Sequence, residues 1–316
     1  METKIRLGIS TCLLGEKVRY DGGHKLDRYL RDTLGQYVQY IPVCPEVECG
    51  LPTPRESMRL VGDPKAPRLM TVRSQLDLTE KMIEWTRIRV RELELENLCG
   101  FIFKSKSPSS GMERVKVYNE KQMPEKIGVG IFARAYMEHF TLYPVEEDGR
   151  MHDPILRENF IVRIFAFKRW RDLLSEKKTR GNIVEFHTKH KLLILAHSEK
   201  IFRIMGKLVG NPKEVTVNEL YEQYQNLLLE SLCYKTTIRK NVNVLQHAMG
   251  YFKKILSSDE KTELLEIIEQ YKNRYVPLIV PITLLNHYVR KYDQTYLKQQ
   301  YYLSPHPIEL QLRNHV

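Results

Sequence analysis

The chain has 316 residues, about twice a typical domain, so two domains are expected. With 42% hydrophobic and 28% charged residues and a mean hydropathy of −0.42, it can build real cores. Glycine and proline together are 31 residues and no short period recurs, which excludes a fibre or a disordered chain. The longest nearly unbroken apolar run, Val276 to Leu285, holds two prolines and falls short of the roughly 20 residues a membrane span needs. The start, METKIRLGIS, reads as neither leader nor anchor, so a cytoplasmic location is expected.

The net charge of +11 is uneven: about +2 over residues 1–150 and about +9 over 151–316, by count of Lys+Arg against Asp+Glu. A basic half behind a near-neutral one suggests a polyanion as partner.

In chain order, Lys4–Ser10 reads as a strand, Leu26–Leu34 as a helix and Tyr37–Cys44 as a second strand. Ser74–Asn97 has apolar residues at helical spacing and reads as one long helix. Phe101–Lys104 is a third strand, and a helix near Gly130–His139 and a strand near Thr141–Val145 complete the alternation. Such text implies an α/β domain with a mainly parallel, Rossmann-like sheet over residues 1–150. The polar stretch Glu146–Arg150 reads as a linker.

Residues 151–316 are helix-like almost throughout, with candidates at Pro154–Glu176, Gly181–Ala196, Thr216–Tyr234, Thr236–Leu256, Asp259–Tyr275 and Ile282–Tyr292. Ser257 and Glu260 fit a capping box. An all-α bundle is expected.

Five cysteines in such a chain argue against a disulfide framework. Cys233, in a helical run, reads as core, whereas Cys12, Cys44, Cys49 and Cys99 crowd into the first hundred residues. Three loops each follow an expected strand: the loop of Cys12, the loop of Cys44 and Cys49 running on to Arg55, and the serine-rich loop Lys104–Met112. Ligands of an open parallel sheet bind beyond the carboxyl ends of its strands, so these loops should share one crevice. Converging thiols suit zinc, copper(I) or an iron–sulfur cluster; a catalytic thiol and purely structural cysteines are the other readings of the residues.

The strings STCLLG…VRYDGG, VCPEVECGLPTPRE and FKSKSPSSG resemble the thiouracil/thiouridine desulfidase family over roughly residues 4–145. The basic half, around RIFAFKRW, TRGNIVEFHTKHKLLILAHS and NVLQHAMGYF, is similar to a second, uncharacterised helical domain. The fused pair resembles desulfidases of 4-thiouridine in tRNA. This resemblance implies a 4Fe-4S cluster on three thiolates, with one open iron to take the substrate's sulfur. Cys12 and Cys44 match two ligand positions. The third, in S-P-S-C-G, is Ser110 here, so three readings stand: Cys49 takes that place, the Ser110 oxygen takes it, or the chain holds no stable cluster. The implied reaction is hydrolysis of a C=S bond without redox change. Glu46 is the expected base, Asp21 a second candidate, and Ser107 a hydrogen-bond donor beside them. Ser109, Lys104 and Arg55 are expected to bind the substrate, which is tRNA or a free thiopyrimidine. A non-catalytic RNA-binding protein is the remaining reading.

In the basic half, Arg163, Lys168, Arg169, Arg171, Lys177, Lys178 and Arg180 are candidates for phosphate contacts. Tyr288, Tyr292, Tyr296, Tyr301 and Tyr302 would pack helices or stack on bases. His187, His190 and His197 share a helical face and suit packing, phosphate contact or a metal.

Overall fold

The computed structural model describes residues 4–211 and 215–315. The chain divides into two compact units, Met1–Phe160 and Ile161–Val316.

In the first unit the strands are β1 (Ile5–Ser10), β2 (Val38–Val43), β3 (Met58–Val61), β4 (Arg68–Thr71), β5 (Phe101–Phe103), β6 (Val115–Tyr118), β7 (Pro124–Gly128) and β8 (Val145–Glu147). The helices are α1 (Pro45–Glu48), α2 (Thr79–Leu95) and α3 (Ile131–His139). A parallel sheet runs in the order β2-β1-β5-β8. Strand β1 has β2 on one side and β5 on the other, so the order reverses at β1; such a reversal opens a crevice beyond the strand ends. The face packed on α2 and α3 is aromatic. Phe101 and Phe103 stack at 4.4 Å between ring centroids, with Phe132, Tyr136 and Phe140 around them. Gly8 makes room for this, because a Cβ there would lie 2.2 Å from the Phe101 ring.

The sequence reading missed a second sheet, β4-β3-β6-β7, antiparallel at its two outer pairings and parallel in the middle. Its strands are only four or five residues long, too short for their alternation to stand out from the surrounding loops. Other boundaries shift. Helix α2 begins at Thr79, since Gln75 has positive φ, Met70 bridges to Asp77, and the Asp77 carboxylate accepts the Thr79 N–H. The expected helix at Leu26–Leu34 is a single wide turn, Tyr29–Thr33. The strand expected near Thr141–Val145 runs instead from Val145 to Glu147. Glu146 and Glu147, read as linker, are buried: Glu146 accepts from Arg150, and Glu147 from the backbone amides of Met112 and Glu113.

Helix α4 (Pro154–Ser175) contains the division between the units. The second unit continues with α5 (Arg180–His197), α6 (Glu199–Gly210), α7 (Val217–Cys233), α8 (Ile238–Gly250), α9 (Ser258–Lys272), α10 (Ile279–Lys291) and the short α11 (Thr295–Lys298). The starts of α5 to α9 are capped by side chains, with full capping boxes at Thr216/Glu219 and Ser257/Glu260. Trp170 lies at the centre, packed on Phe186, Tyr221 and Tyr224, its indole N–H donating to Gln225 at 2.8 Å. The architecture is an α/β unit with a parallel sheet followed by a helical one, as the sequence implies. Cys233 departs from expectation. It is exposed at the end of α7, because the run that carries it ends there, and its sulfur accepts a 3.5 Å hydrogen bond from Arg163. No helix among the described residues is long and apolar enough to cross a membrane.

Candidate functional site

Each strand of the parallel sheet delivers a polar residue at its carboxyl end. Cys12 follows β1 by two residues, while Cys44, Lys104 and Asp148 come directly after β2, β5 and β8. Cys12, Cys44 and Lys104 line a cavity of about 420 Å³ together with Glu46, Arg55 and the loop Ser105–Ser110. Lys104 and Asp148 pair at 2.8 Å, both largely shielded.

The order inside the cavity is set by hydrogen bonds. Pro45 opens α1 with its fixed φ, and the Glu48 carboxylate accepts the Cys44 N–H at 2.7 Å, so Cys44 and Glu46 face the crevice from a short rigid turn. The Arg55 side chain is only 5% exposed and donates to Glu46 Oε2 through Nε and Nη2, the first at 3.0 Å. It also donates to the carbonyls of Pro52 and Val18, which ties its own loop to the one that follows β1. The other Glu46 oxygen accepts from Ser109 Oγ at 2.9 Å, and Ser109 meets Ser107 Oγ at 3.0 Å. Ser107 in turn accepts the N–H groups of Ser109 and Ser110. A continuous polar chain therefore runs Arg55–Glu46–Ser109–Ser107, with Glu46 at its acceptor end.

Two of the expected substrate contacts have other work. Lys104 Nζ donates to Asp148, to Ser105 Oγ and to the Ser105 carbonyl, which uses all three of its ammonium hydrogens. Arg55 is likewise committed to Glu46 and to loop carbonyls. Both hold the crevice in shape. Asp21 does not join it: its carboxylate caps its own turn through the Gly23 N–H, which with Arg19 holds it below the usual carboxylate range. Asp148 is the residue the sequence reading missed, hidden in an acidic run that looks like a linker. Burial opposes its ionisation, yet Lys104 and the Ser105 N–H outweigh that and pull its titration down.

Burial raises the Cys12 thiol to about 11, against the opposing charges of Lys104 and Arg19; the neighbouring Cys44 adds to the rise. Burial raises Cys44 as well. Cys49 is not with them. Its thiol donates to the Glu46 carbonyl at 3.3 Å, and it packs among Leu60, Leu69, Met82, Val115 and Val117 beside the second sheet. The reason is helical geometry: Cys44 and Cys49 flank α1, and five residues place them about 140° apart around a helix. Cys99 is buried just before β5, outside the cavity lining.

A three-thiolate cluster can be tested on this donor set. The cavity offers two thiols, and the third expected position is the Ser110 hydroxyl, 3% exposed in the wall. Among the described residues no three His, Cys, Asp or Glu side chains stand where they could hold a metal ion. Cluster iron favours thiolate, and a serine oxygen is harder and much less acidic, so the residues present do not fit a cluster on three thiolates.

In the second unit most of the expected phosphate contacts are engaged internally. Arg169 donates to the Pro305 carbonyl and lies over the Tyr301 ring. Arg171 covers Phe167, Arg180 donates to the Val215 carbonyl, and Lys168 pairs with Asp172. Lys177 and Lys178 are exposed. His187, His190 and His197 are buried, bonded through Nδ1 to the Tyr224 hydroxyl and to the carbonyls of Phe186 and Tyr234. They are packing groups. Tyr288 and Tyr302 are core, Tyr292 donates to Glu260, Tyr296 stacks on Tyr251, and Tyr301 packs against His190.

Residues 7–148 match the family described as 2-thiouracil desulfurase, and the chain belongs to that family through its first half. Residues 191–307 match a second family, described as a protein of unknown function (DUF1722). The chain is 30% identical over 158 residues to the uncharacterized protein YbgA of Escherichia coli (strain K12), which covers 50% of this chain and 94% of that protein. To the uncharacterized protein YbbK of Bacillus subtilis (strain 168) it is 29% identical over 131 residues, 40% of this chain and 85% of that one. Among solved structures it is similar to the 4Fe-4S-dependent thiouracil desulfidase TudS, 28% identical over 48% of this chain and 95% of that chain, at a TM-score of 0.40.

Proposed function

We propose that the crevice binds a thiopyrimidine ring and removes its sulfur by hydrolysis, as a desulfidase of thiouracil-type compounds. The observation that carries this reading is the Glu46 carboxylate, held by Arg55 and Ser109 in a cavity whose wall also holds two thiols. Membership of the desulfurase family supports it. A cavity of about 420 Å³ is of the size that encloses a small molecule.

The chemistry balances without an oxidant. Glu46 takes a proton from water, the water oxygen attacks the ring carbon of the C=S group, and the C–S bond breaks as C=O forms. The sulfur leaves as hydrogen sulfide once it regains a proton. The Ser107 and Ser109 hydroxyls, spent on one another and on Glu46, hold the carboxylate in place. Arg19 and Lys104, whose charges act on Cys12, favour an anion at the sulfur end. The relative TudS uses a 4Fe-4S cluster; the donors here stop at two thiols, and no step is assigned to such a group.

Whether 4-thiouridine in tRNA is also a substrate rests on the charge of residues 151–316. The internal engagement of Arg169, Arg171, Arg180 and Lys168 favours the small ring. A specific observation favours the non-catalytic reading too: Ser110 in place of a thiol.

Incubation with thiouracil, 4-thiouridine and thiolated tRNA, with sulfide and thiocarbonyl absorbance followed, tests the proposal. Sulfide release from the small compounds is expected, with Glu46→Gln slower by about a hundredfold or more. No release from any of them, with tRNA still bound, would establish the RNA-binding alternative instead.

A further inference from the structure

We propose that Ser110 makes this crevice a two-thiolate site, and that one oxygen in place of sulfur keeps the chain from anchoring a four-iron cluster while leaving the frame for one intact. The inference rests on the crevice being the sulfur site of the desulfurase family.

The frame is rigid whatever side chain stands at 110. The Ser110 N–H donates to Ser107 Oγ at 3.2 Å, and the Gly111 N–H to the Ser107 carbonyl at 2.8 Å. The Phe132 N–H donates to the Ser109 carbonyl at 2.9 Å, which fastens the loop to the first turn of α3. Gly130 is required for that fit, since a Cβ there would fall 2.5 Å from the Ser109 carbonyl carbon and 2.7 Å from the Ser110 nitrogen. None of these bonds uses the Ser110 side chain. A thiol at this position therefore inherits the same backbone.

The other candidate for the third ligand is closed off. Cys49 would have to leave the apolar cluster of Leu60, Leu69 and Met82, give up its bond to the Glu46 carbonyl and cross α1. Such a move breaks the turn that presents Cys44 and Glu46. Two thiolates, from Cys12 and Cys44, remain on the cavity wall. Soft iron–sulfur clusters are held by thiolates, and a hydroxyl must lose a far more tightly held proton to replace one.

The test is anaerobic reconstitution of the full chain with ferrous iron and sulfide, then desalting and measurement of bound iron, bound sulfide and visible absorbance. Wild type is expected to lose its iron on desalting, and Ser110→Cys to retain it with the absorbance of a four-iron cluster. Cys49→Ser and Ser110→Ala should behave as wild type. Stable retention by wild type overturns the proposal whether or not the cysteine variant folds. A folded Ser110→Cys chain, judged by circular dichroism, that binds no more iron than wild type also overturns it. No substrate enters the measurement, so its outcome is separate from that of the thiouracil assay.

Discussion

The two units spend their polar groups in opposite ways. In the α/β unit, four parallel strands end together, and the residues past those ends bring Cys12, Cys44, Glu46 and four serines of one loop to a single cavity. In the helical unit, arginines and histidines of comparable promise are consumed by carbonyls, rings and carboxylates of the same unit. Residue type and spacing alone do not separate the two cases. What separates them is whether the backbone already offers a partner: strand ends converge on open space, whereas packed helices present carbonyl-rich termini and aromatic faces.

The largest effect that would break this contrast lies in the crevice wall. Asp148→Ala leaves the buried Lys104 ammonium without its carboxylate and frees the Ser105 N–H. The cost expected is about 3–5 kcal/mol of unfolding free energy, read from urea denaturation. A loss under about 1 kcal/mol would mean that water substitutes freely and that the wall is not the fixed frame described.

An effect of comparable size for each histidine is expected from acid in the helical unit. Burial keeps the imidazoles of His187, His197 and His306 neutral, lowering each to about 4, with Lys191, Arg163 and Arg313 among the opposing charges; His190 lies well below its ordinary value for the same reason. In the unfolded chain these groups take up protons near pH 6.5. Between pH 6.5 and 4 the unfolded state thus binds more protons, and stability falls as pH falls. Each histidine contributes up to about 1.4 kcal/mol per pH unit. The first unit's His24, His139 and His152 are exposed. Hydrogen exchange through this window should show residues 161–315 losing protection first.

The smallest effect concerns Lys177 and Lys178. Reversing both to glutamate should leave stability within about 0.5 kcal/mol, as for other exposed sites. If structured RNA binds here, the salt dependence of its affinity should fall by about one unit of log–log slope per lost phosphate contact. An unchanged slope would remove these lysines from any RNA surface.

The parallel sheet was legible because strand-like and helix-like text alternates, and the crevice because three loops follow strands. Cys12, Cys44, Glu46, Ser107 and Ser109 do line one cavity. The second sheet was not legible, since its strands, Arg68–Thr71 and Pro124–Gly128 among them, are only four or five residues long and carry exposed charge. Nor was the place of Cys49, because a four-residue helix turns it away from Cys44 and so short a helix leaves no periodic signal. The pairing of Lys104 was not legible for a related reason: its partner Asp148 lies 44 residues away and is brought alongside by the pairing of β5 with β8.

That pairing has a wider consequence. The parallel register aligns Ser10 with Val43 and Phe103 with Glu147, so strand pairing fixes where each functional group emerges, independently of what that group is. The mouth behaves like a set of sockets. A lineage can exchange what is plugged into one of them without retuning the others.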